Sequence, residues 1–71
     1  MKLNKQEQTV VVGNLINNVI GLELVKQHID PQKLEKAVDL HNKMNDDMTP
    51  KRCREALISV LDKTIDEFLK D

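Results

Sequence analysis

The chain has 71 residues, a single cysteine, a single aromatic residue (Phe68) and a formal charge of −1. These values limit it to one domain, residues 1–71, with no internal disulfide, no general attraction to nucleic acid or anionic membrane, and no aromatic platform for stacking bases. A domain this short hides only about 60% of the surface that its unfolded chain exposes. Below about 70–80 residues a lone core rarely suffices, and with disulfides excluded and no metal motif, oligomerisation or unusually good helix packing remains.

The first predicted element runs from about residue 5 to His28. Thr9-Val10-Val11-Val12-Gly13 read alone has the β-branched character of a strand. The wider window continues Val12, Leu15, Ile16, Val19, Ile20 and Leu22 at helical spacing, so the segment is read as one helix. Its two internal glycines each cost about 1 kcal/mol relative to alanine. The apolar positions spread over more than one face: Val11, Val12, Leu15, Ile16, Val19, Ile20 and Leu22, with Leu24 and Val25 beyond. Two short helices cannot cover that width, and an uncovered apolar surface marks an interface. These seven residues, Val11 to Leu22, are therefore the expected homodimer or partner surface. Gly13, Asn17 and Gly21, four apart, form a row where another backbone can approach closely.

The second and third elements announce themselves by their starts. Asp30-Pro31 and Thr49-Pro50 each set an N-cap residue before a proline, which suits the first helical position. The second helix, about 31–45, carries Leu34, Ala37, Val38, His41 and Met44 on one stripe and ends at Asn45-Asp46-Asp47. The third, about 50–70, carries Cys53, Ala56, Leu57, Val60, Leu61, Thr64, Ile65, Phe68 and Leu69 on one face. Asp62 and Asp66 fall on the other side, with Glu55, Ser59 and Lys63. The expected fold is all-α, a three-helix bundle-like domain associating as a homodimer.

The residues that carry chemistry do not form motifs. His28, His41, Cys53, Asp39, Asp46 and Asp47 lack the paired spacing of a zinc site. The Asn45-Asp46-Asp47 cluster lacks the glycine and glutamate of a calcium loop. Cys53 has no histidine at a recognisable offset, and its place on a core stripe favours an inert thiol, although Lys51, Arg52 and Arg54 beside it would activate it if exposed. No phosphate loop occurs. No catalytic residue, cofactor or metal is expected, and the chain is not expected to be an enzyme.

One local rule is broken. Lys51, Arg52 and Arg54 sit in the first turn of the third helix, where cations oppose the helix dipole at about 0.3–1 kcal/mol each. Asp46, Asp47 and Glu55 are close enough in sequence to neutralise them. Two functions follow as expectations. The first is a cytoplasmic, non-enzymatic module that binds and modulates another protein, with no membrane association. A lone cysteine and the lack of a signal-like start suggest the compartment. The Lys/Asn-rich, aliphatic composition resembles that of small proteins of low-GC bacteria and their phages and plasmids. The alternative is a helix-turn-helix DNA-binding regulator in which Lys51, Arg52 and Arg54 read the groove and Lys43 contacts phosphate.

Overall fold

A computed structural model of the chain describes residues 1–70. Within them lie four α-helices and no strand: α1 (Lys5–Asn14), α2 (Leu22–His28), α3 (Pro31–Asn45) and α4 (Pro50–Phe68). A π-helical segment, Leu15–Ile20, extends α1. The single first helix expected from the sequence is thus broken. The axes of Lys5–Ile20 and Leu22–His28 meet at 106°.

Gly21 makes the break. Its φ of 92° and ψ of 139° lie where L side chains are disfavoured, and its carbonyl accepts the first bond of α2, from Val25 N–H at 3.1 Å. Two side-chain amides bond beside the π segment. Asn14 Nδ2 donates to the Val10 carbonyl at 2.8 Å and Asn18 Nδ2 to Asn14 Oδ1 at 2.9 Å. Of the two, only the Asn14 amide reaches a carbonyl of the α-helical ladder.

The two proline-marked starts are as the sequence predicts. Asp30 caps α3 by accepting from Gln32 and Lys33 N–H at 2.9 and 3.1 Å. Thr49 caps α4 by accepting from Arg52 N–H at 3.2 Å. α1 begins with a capping box: Asn4 Oδ1 accepts from Glu7 N–H, and Glu7 Oε1 accepts from Asn4 N–H, both at 2.8 Å.

Helix α1 is the hub, with α3 on one side and α4 on the other. The molecule measures 34 × 31 × 19 Å, so it is only about two helix diameters thick. Such a slab encloses little. The buried apolar side chains are Val10, Val25, Leu34 and Ala56, and Glu7 and Thr9 are buried with them. On the α3 side the contact is made at Gly13, where a Cβ would overlap the His41 imidazole. What approaches Gly13 is the His41 side chain of the same chain and not another backbone, so the row Gly13, Asn17 and Gly21 does not form the backbone contact expected of it. Gly21 serves the bend instead.

On the α4 side the orientation corrects the sequence reading. Ala56 is buried and Cys53, Ser59, Val60 and Lys63 are half-buried, so Ser59 and Lys63 face inward. Leu57, Leu61, Ile65, Phe68 and Leu69, placed in the core by periodicity, are exposed, Phe68 at 83%. One neighbouring helix covers only one strip of a cylinder, and α4 is apolar over more than that strip. No single helix among the described residues is long and apolar enough to cross a membrane; the pair flanking Gly21 reaches that composition only when taken together.

Candidate interaction surfaces

The most highly organised polar group is Glu7, which sequence reasoning passed over. Its side chain is 2% exposed. It accepts from Lys63 Nζ at 2.7 Å, from Ser59 Oγ, and from Asn4 N–H at 2.8 Å. The Lys63 ammonium first, then Ser59 and the Asn4 amide, lower its pKa from 4.5 to about 2. A carboxylate this firmly ionised and this fully bonded has no spare capacity to take a proton at neutral pH. It acts as a clasp between α1 and α4. Lys63 Nζ also donates to the Lys2 carbonyl at 3.2 Å, and the terminal ammonium lies 3.7 Å from Glu67, so the N-terminal residues are strapped along the same helix. The spacing Asn4-x-x-Glu7 was the available signal, since it is a capping box with Asn in place of Ser or Thr.

The surface expected at residues 11–22 divides in two. Val11, Val12 and Ile16 are half-buried within the chain, whereas Leu15, Val19, Ile20 and Leu22 are exposed. The exposed part borders an apolar groove of about 580 Å³ between the π segment, α2 and α3. Leu15, Ile20, Leu24 and Ile29 line it, Val25 and Leu34 form part of its wall, and its only ionisable lining groups are His28 and Lys33. Ile29 and Lys33 lie outside the surface expected from sequence. They join it only because the chain turns at Gly21.

The basic cluster is spread around α4. Lys51 reaches Glu55 at 3.9 Å, a weak exposed pair. Arg52 and Arg54 are exposed, as is Lys43 on α3. Among the described residues no ion pair joins the cluster to Asp46 or Asp47, which occupy the turn after α3. Helices α3 and α4 each pack on α1 in preference to each other.

Cys53 is half-buried on the α1 side of its helix. His41 is half-buried against Gly13, with Nδ1 3.5 Å from Asn42 Oδ1. Among the described residues no three His, Cys, Asp or Glu side chains converge as a metal site would require. No protein-family model, curated protein or solved structure matches the chain.

Proposed function

We propose that this chain is a non-enzymatic interaction module that binds and modulates another protein by seating an amphipathic helix of that partner in the groove between the π segment, α2 and α3. The observation that carries the reading is the groove itself: Leu15, Ile20, Leu24 and Ile29 stay exposed around a concave apolar surface. Soluble chains rarely leave such a surface uncovered without a use for it. The lining has no converging set of donors and acceptors to orient a polar metabolite. An apolar helix face, with contacts three and four residues apart, suits it better. Lys33 and His28 at the rim favour a partner helix flanked by Asp or Glu. The unpaired Cys53 suits a reducing, cytoplasmic setting.

The DNA-binding alternative rests on the exposure of Arg52, Arg54 and Lys43. It draws less support, because a helix-turn-helix packs its two helices on each other, and here both lean on α1.

A fluorescence-polarisation titration tests the proposal. The probe is a labelled helical peptide with Leu at i, i+3, i+4 and i+7 and Glu on its flanks. Saturable binding that weakens when the flanking Glu are changed to Lys, and is lost in Leu24→Asp, is the expected result. No binding by either peptide, with tight binding of a mixed-sequence DNA duplex at physiological salt, would overturn it.

A further inference from the structure

We infer that Gly21 is a hinge through which two copies of this chain exchange halves: α1 and the π segment of one copy pack on α2, α3 and α4 of the other, and residues 5–28 of each run as one straight helix. Three observations at the hinge carry this. The helical spacing does not stop at the bend, for Val12, Ile16, Ile20 and Leu24 recur every four residues straight through Gly21. The break is a single residue long and rests on a glycine at φ 92°. Among the described residues α2 is the one α-helix that starts without a side-chain cap, whereas Asn4, Asp30 and Thr49 cap the other three. Its first amides, at Leu22, Glu23 and Leu24, have intrahelical partners only if the helix continues back to the carbonyls of Asn18, Val19 and Ile20.

What holds the two halves together does not require that they belong to one chain. The Lys63 ammonium meets Glu7 at 2.7 Å and the His41 ring seats on Gly13, and both contacts join residues before the hinge to residues after it. Straightening at Gly21 separates these partners within a copy, and a second straightened copy restores both. Exchange of identical elements is a low-cost route to a dimer for that reason, and a short strained connection favours it. The exchange closes after two copies. It also covers apolar surface that the single chain leaves open. The two straight helices cross beside Gly21, where Leu15, Val19, Ile20, Leu22 and Leu24 are exposed around the bend, Val19 at 71%. This inference goes beyond the groove reading and does not depend on it.

Substitution at the hinge tests the inference on the full chain. Gly21→Ala disfavours the bend and favours the straight helix, and it acts at both hinges of a dimer. The dimer dissociation constant, read by sedimentation equilibrium, is expected to fall at least about a hundredfold below that of the wild type, about tenfold for each hinge. Two glycines inserted after Gly21 relax the turn and are expected to leave a monomer at high micromolar concentration. The exchange itself is read in a Gly21→Ala dimer mixed from isotope-labelled and unlabelled chains, where nuclear Overhauser effects between α1 and α4 are expected to run between copies. A Gly21→Ala chain that is monomeric or unfolded at high micromolar concentration overturns the inference. So does a dimer whose α1–α4 contacts stay within one copy, or an insertion variant that dimerises as tightly as Gly21→Ala.

Discussion

The Glu7 carboxylate and the Lys63 ammonium lie 56 residues apart in sequence and 2.7 Å apart in space. Glu7 is at once the third residue of its own helix, completing the cap with Asn4, and the anchor of the distant helix α4. A local folding signal and a tertiary contact thus share one side chain. Glu7→Gln keeps the shape and removes the charge, leaving Lys63 without its close partner. It is expected to lower Tm by more than about 5 °C in a domain of this size, measured by thermal denaturation at pH 7. An unchanged Tm would mean that the clasp contributes nothing.

The same group sets a pH dependence. Its pKa is about 2 in the folded chain against 4.5 ordinarily. The folded state therefore binds the proton less readily than the unfolded state. The contribution to stability is complete above about pH 4.5 and is lost as pH falls from there through about 2. Urea midpoints across this window are expected to drop for the wild type and to drop less steeply for Glu7→Gln. Parallel curves for the two would assign the acid sensitivity to other carboxylates.

Gly13 supplies a test in which the sign itself is informative. Alanine in a helix interior is favoured over glycine by about 1 kcal/mol. At Gly13, however, the added methyl would overlap the His41 ring, and overpacking costs typically about 1–3 kcal/mol. Gly13→Ala is expected to destabilise the wild type. In a His41→Ala background the same change is expected to stabilise, because the obstacle is gone. A double-mutant cycle by urea denaturation reads both legs.

Gly21 is governed by backbone conformation and not by space, since nothing lies within 4 Å of where its Cβ would be. An L-alanine held at φ 92° is expected to cost about 1–3 kcal/mol. Gly21→Ala is therefore expected to lower the urea midpoint, and an unchanged midpoint would mean that the bend does not depend on a conformation open to glycine.

The parts of the fold that were legible in the sequence are those written locally. Asp30-Pro31 and Thr49-Pro50 mark helix starts because cap and proline act within a few residues of each other. The aliphatic excess of residues 11–22 was legible as a surface in search of cover, and Leu15, Val19, Ile20 and Leu22 do remain exposed. Gly21 was not legible as a bend, because a glycine inside an apolar period can be either tolerated or required. The π segment shifts the register that a 3.6-residue period assumes, so faces projected past Asn14 drift. The rotation of α4 was hidden for a different reason. Its apolar face is wider than one neighbour, and the choice of strip is made by Glu7, a contact that no local pattern contains. The candidate groove was partly legible, since Leu15, Ile20 and Leu24 belong to the expected apolar surface but Ile29 and Lys33 join it only through the turn at Gly21.

Helix binding in the groove is tested by methyl-resolved NMR on isotope-labelled protein titrated with the Glu-flanked amphipathic peptide. Saturable shifts are expected at the methyls of Leu15, Ile20, Leu24 and Ile29, with those of Leu57, Leu61 and Ile65 on α4 left in place. Shifts confined to α4, or none at any methyl, would contradict it.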